Sequence, residues 1–110
     1  MGLRSTIVLA VVVALVAAGC GGGGKATPRA KLTPQQAHGR ELFVRDCGSC
    51  HKLREAGTEG VVGKDLDGIQ PTRAAVLRAL ASPPKNMPAG LATGADAQAV
   101  AAYVAAVAGR

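Results

Sequence analysis

Aromatic residues are nearly missing from this chain: it has one Phe, one Tyr and no Trp among 110 residues. With no aromatic platform and no recognition motif, nucleic-acid binding is excluded, although the formal net charge is +6. No segment alternates apolar and polar residues over strand length, so the expected fold class is all-α. Cysteine is scarce, with Cys20, Cys47 and Cys50 the only three. A small module this poor in aromatics is short of core material, so something other than side chains is expected to fill its centre.

The first 19 residues read as an address rather than as fold. Arg4 gives a positive start, Ile7 to Ala18 is unbroken apolar sequence, and Ala17-Ala18-Gly19 are small residues ahead of Cys20, the layout of an export signal. The run falls short of the roughly 20 apolar residues that cross a bilayer. The segment LVAAGC resembles the cleavage site of bacterial lipoproteins, in which the cut falls before a cysteine whose thiol carries a diacylglycerol. That family usually has Leu three places before the cysteine, and Ala17 stands there in this chain. An ordinary signal cut near Gly19, leaving a free thiol, and a leader retained as an anchor are the alternatives. The expected layout is a lipoprotein-type signal peptide over 1–19, lipidated Cys20 and a flexible tether over 20–32, and one folded module over 33–110. The protein is then exported, and either anchored to the outer face of the cytoplasmic membrane or periplasmic.

The tether GGGGKATPRAKL cannot hold a regular element, and its Lys25, Arg29 and Lys31 suit either solvent or an anionic membrane surface. Three main helices follow. The first has Thr33 as N-cap, Pro34 at its first position and Gln36 completing a capping-box pattern, with Gly39, Leu42, Phe43 and Asp46 on one side. Gly39 costs helix stability, about 1 kcal/mol against Ala, which points to a close crossing by another helix. The second runs from Thr72 to Ala81, stopped by Pro83-Pro84, with Ala75, Val76 and Leu80 inward. The last starts near Thr93 with Asp96 as capping partner and ends at Gly109. Val100, Tyr103, Val104 and Val107 form its apolar stripe. Four glycines between Leu53 and Gln70 predict a loop there.

The chemistry is concentrated in DCGSCHKLREAG. Cys47 and Cys50 are three apart, so on a helical turn their sulfurs face the same way, with His51 at the adjacent position. In an exported chain CxxCH is the signature of covalent haem attachment. A Cys47–Cys50 disulfide would close a very short ring and leave His51 without a purpose. A redox pair of the thioredoxin kind needs a βαβ unit, and zinc needs more ligands than His38 adds. For a sixth iron ligand the chain offers Met87, on the proline-stiffened segment SPPKNMPAG, or His38, on the helix that leads into the motif.

GRELFVRDCGSCH, GVVGKDLDG, NMPAG and AVAAYVAAV, in that order, make the module similar to the class I monohaem cytochromes c of bacterial type. The resemblance implies three helices and loops wrapped around one haem c. Cys47 and Cys50 would form its thioethers, and His51 and Met87 would ligate its iron. It implies that Gly39 and Phe43 meet the last helix at Tyr103. It also implies a non-enzymatic, monomeric electron carrier working between membrane redox complexes, such as a quinol-oxidising complex, a terminal oxidase or another reductase. A haem-based gas sensor or small haem enzyme, with a displaceable methionine, is the other function compatible with the motif. The family commonly has Gly-Pro where this chain has Gly63-Lys64, and the carbonyl of that loop accepts a hydrogen bond from the ligating histidine. Arg45, Lys52, Arg54, Lys64 and Lys85 would form a cationic rim around the haem edge, suited to an acidic partner.

Overall fold

A computed structural model describes residues 31–110 of the chain. Cys20, the expected signal peptide and nearly all of the expected tether lie outside the described residues. Helix α1 (Pro34–Asp46) begins where its capping signal places it. The Gln36 amide donates to Thr33 Oγ1 at 3.2 Å and the Thr33 amide to Gln36 Oε1 at 2.9 Å, so two otherwise unpaired donors are satisfied. Helix α1 ends at the CxxCH motif. A two-residue antiparallel ladder, β1 (Lys52–Leu53) with β2 (Thr58–Glu59), follows directly. Then come a one-turn helix α2 (Leu66–Ile69), α3 (Arg73–Ala81) and α4 (Gly94–Val107).

The core is the crossing of α1 and α4. A β-carbon at Gly39 would run into the Ala99 carbonyl and lie 2.9 Å from the β-carbon of Tyr103, so glycine lets the two backbones touch. One turn on, the Phe43 and Tyr103 rings meet edge to face, with centroids 6.0 Å apart. Leu42, Leu53, Val100, Val104 and Val107 close around them, each at most 6% exposed. The whole predicted stripe of α4 is therefore buried.

Beneath α1, a charged group joins three elements. Glu55, on the turn between β1 and β2, accepts a hydrogen bond from the Tyr103 hydroxyl of α4. Arg40 of α1 sits with Nε 3.4 Å from the same carboxylate, whose side chain is 8% exposed. Asp67 of α2 accepts from the Arg54 amide at 2.7 Å and the Gly109 amide at 2.9 Å, tying the hairpin to the chain's end.

Three local expectations need correction. The ladder forms although no alternation announces it, because Thr58 Oγ1 donates to the His51 carbonyl at 2.8 Å and accepts from the Leu53 amide at 3.1 Å. The glycine-rich loop contains α2, whose N-cap Asp65 accepts from the amides of Asp67 and Gly68. Asp96 does not cap α4 with Thr93, whose side chain makes no capping bond. Gly94 takes φ +54° at the first position of α4. The Thr93 carbonyl, not its side chain, accepts from the Asp96 and Ala97 amides, and the Asp96 carboxylate pairs with His38 of α1 at 3.0 Å.

Candidate functional site

The end of α1 runs on into the motif as one further turn. The amides of Cys50 and His51 both donate to the Cys47 carbonyl, at 3.1 and 3.0 Å, which puts both thiols and the imidazole on the wall of a single cavity. Both thiols are free, Cys47 buried and Cys50 half-buried. Burial, with the nearby Asp46 charge and Cys50, pushes the Cys47 thiol up to about 11. A thiol held protonated is a poor nucleophile for disulfide exchange, which counts against a redox pair.

The Gly60–Lys64 loop is clamped onto the motif. A β-carbon at Gly60 would meet the Cys50 and His51 backbone, and one at Gly63 would meet the His51 ring itself. The Gly63 amide donates to the Cys50 carbonyl at 2.7 Å. Held there, the Lys64 carbonyl lies 2.9 Å from His51 Nδ1. A carbonyl oxygen only accepts, so Nδ1 carries the hydrogen and Nε2 is left with the lone pair a metal needs. Lysine in place of the family's proline therefore keeps the bond, because the acceptor is backbone.

Much of the remaining wall comes from α3 and the loop after it. None of the residues of α3 is buried by protein; Val76, Ala79 and Leu80 face the cavity instead. Pro83 and Pro84 end α3, and Met87 in the next turn lines the same cavity. Phe43, Val100 and Val104 form its floor. The cavity volume is about 510 Å³, within the range of roughly 300–1,000 Å³ that small organic ligands and cofactors occupy.

The residues fit a haem. Two thiols three positions apart, an imidazole with its tautomer fixed, a thioether, and an apolar α3 face only half-buried against the core are what a covalently attached, axially ligated macrocycle requires. His38 is not among the cavity's residues and is engaged with Asp96. Among the described residues no three His, Cys, Asp or Glu side chains gather to hold a bare metal ion.

The family model described as cytochrome C oxidase, cbb3-type, subunit III matches residues 34–104. The chain belongs to this family of c-type cytochromes. Its fold is similar to that of the c-type cytochrome SorU from Sinorhizobium meliloti, with a TM-score of 0.66 and 38% identity, over 69% of this chain and 93% of that one. No curated protein matches the chain. As a c-type cytochrome, the protein binds haem covalently and serves electron transfer. No described helix is long and apolar enough to cross a membrane.

The structure redraws the cationic rim of this cytochrome. Lys64 and Lys85 line the cavity mouth. Arg45 is paired with Asp46 at 2.7 Å and Lys52 lies 4.0 Å from Glu59, so those two charges are partly cancelled. Two features of the site were not read from the sequence. One is the exposed apolar edge of the cavity, where Val62 is 73% and Ile69 51% exposed. The other is the clamp made by Gly60 and Gly63, whose signal was a pair of glycines three apart soon after CxxCH.

Proposed function

We propose that this cytochrome is a single-electron carrier whose one haem is attached through Cys47 and Cys50 and ligated by His51 and Met87. When bound, the haem supplies a one-electron iron couple, and His/Met ligation favours its reduced state relative to two histidines. The observation that carries the reading is the convergence of the four side chains on one apolar cavity. The chain's own contribution is positional. Lys64 holds the His51 ring with Nε2 free, Met87 would supply the second iron ligand, and Phe43, Leu80 and Val104 would exclude water. With both axial positions filled from the chain, no place remains for a substrate, which favours a carrier over an enzyme or gas sensor.

Val62 and Ile69 at the cavity mouth, with Lys64 and Lys85 beside them, suit docking onto a partner with an apolar patch rimmed by carboxylates. The family's description names an oxidase subunit, which supports a terminal oxidase among the membrane complexes served. The sequence LVAAGC and the glycine tether support lipidation at Cys20 and attachment to the outer face of the cytoplasmic membrane. A tether of about 12 coil residues reaches roughly 20 Å and raises the module's effective concentration at such complexes.

The reading is tested by mixing the reduced holoprotein with membranes of its own cell. Rapid reoxidation that slows as salt rises is expected, and reoxidation indifferent to salt would remove the charged docking face. Cys20→Ala should release the protein from membranes with its haem content intact; retained membrane association would favour an uncleaved anchor.

A further inference from the structure

The turn that carries Met87 is built on an unusual backbone. The Met87 amide donates to the Pro84 carbonyl at 3.0 Å, closing a four-residue turn over Pro84, Lys85, Asn86 and Met87. Among the described residues only Gln70 and Asn86 have positive φ without being glycine, at 44° and 73°. Gln70 is the left-handed C-cap of α2, a common way for a helix to end. Asn86 caps nothing. With Lys85 at negative φ and Asn86 at positive φ, the turn is type II, which demands Gly or Asn at its third position. Side chains branched at the β-carbon do not stay there, whereas Asn does.

Met87 is fixed from its other side by Pro88, which confines the residue before it to extended backbone. Its own side chain is long, unbranched and adaptable, so it does not choose a direction for itself. The direction comes from the backbone, and the one replaceable element of that backbone is Asn86.

We propose that Asn86 is a positioning residue for the Met87 thioether: its left-handed conformation sets the turn that aims Met87 into the cavity. The proposal rests on Met87 being an axial ligand and goes beyond it, because Asn86 acts through backbone angle and needs no contact with iron.

Three holoproteins test it: Asn86→Val, Asn86→Gly and Met87→Ala, each compared with wild type. The readouts are covalent haem content, far-ultraviolet circular dichroism, the long-wavelength ferric band of thioether ligation, midpoint potential and CO uptake. Asn86→Gly, which tolerates positive φ, is expected to keep the band and to refuse CO. Asn86→Val is expected to lose the band, drop in potential and take up CO like Met87→Ala, with haem content and helix unchanged. Full retention of the band and potential in Asn86→Val overturns the proposal while leaving Met87 a ligand. Loss in Asn86→Gly as complete as in Asn86→Val overturns it too, since the amide side chain would then carry the effect. A Met87→Ala protein with unaltered band and potential removes the ligand reading and the proposal with it. If Asn86→Val yields no holoprotein, Asn86→Ala replaces it: partial loss of the band is expected, and full retention is contradictory.

Discussion

The Nδ1 hydrogen of His51 is donated to the backbone carbonyl of Lys64 across 2.9 Å, while Gly63 lies against the same ring. Orientation and tautomer of the imidazole are thus set by two consecutive residues of one loop, neither of them through a side chain. Gly63→Ala puts a methyl group into the ring. The stiffer unfolded chain favours the variant by about 0.4–1 kcal/mol, but overpacking costs about 1–3 kcal/mol, so a net loss is expected. Thermal unfolding should show Tm lowered by several degrees. Lys64→Ala keeps the carbonyl and should stay within about 0.5 kcal/mol of wild type; a large loss there would mean that the lysine side chain matters to the fold.

Gly39→Ala tests the α1–α4 crossing. Helix propensity alone favours the change by about 1 kcal/mol. The new methyl would meet the Ala99 carbonyl, a backbone group that cannot turn aside. Overpacking costs about 1–3 kcal/mol, so denaturant unfolding of the holoprotein should show a net destabilisation of up to about 2 kcal/mol, and a stabilised variant would show that the helices separate freely.

Tyr103 brings an alkaline limit. Burial, then the hydrogen bond to Glu55 and its charge, raise its hydroxyl above the ordinary value of 10.0. The folded protein keeps a proton that the unfolded chain releases near pH 10, so this contribution is complete below pH 10 and declines as pH rises past it. The decline is about 1.4 kcal/mol per pH unit while the folded hydroxyl stays protonated. Tyr103→Phe should be less stable than wild type by about 1.5–3 kcal/mol at neutral pH. Unfolding free energies measured from pH 8 to 11 should converge above pH 10, and parallel curves would show that the hydroxyl titrates alike in both states.

In the proposed site, the haem would complete the core on the α3 side. On this proposal, Cys47→Ser combined with Cys50→Ser would prevent covalent attachment and leave the cavity side of Val76, Ala79 and Leu80 uncovered. Hydrogen exchange should then show α3 and the 82–93 loop losing protection first, with the α1–α4 crossing the last to open. Uniform loss of protection would mean that the module has no core of its own.

Much of this was legible in the residues because the governing signals are local. Thr33, Pro34 and Gln36 fixed the start of α1, Pro83-Pro84 the end of α3, and Val100, Tyr103, Val104 and Val107 the buried face of α4. CxxCH announced its own chemistry, since the spacing is that of one helical turn. What escaped depends on which partner a side chain meets in space, whether near or far along the chain. Asp96 looks like a cap partner, but its carboxylate is drawn to His38, 58 residues away. The ladder rests on the Thr58 hydroxyl reaching back to His51, and the cationic rim was thinned by Asp46 and Glu59, which spacing alone did not match to their bases. Asn86 carries no signal of its own in the sequence, because its backbone angle is invisible until Met87 and Pro84 are seen to close a turn.

The most direct measurement is the absorbance spectrum of the purified full-chain holoprotein, oxidised and reduced, with and without CO. Ligation by His51 and Met87 gives a low-spin spectrum in both states, a ferric band of thioether ligation, and no change on adding CO. A high-spin ferrous spectrum that shifts readily with CO would contradict the closed site and the carrier function together.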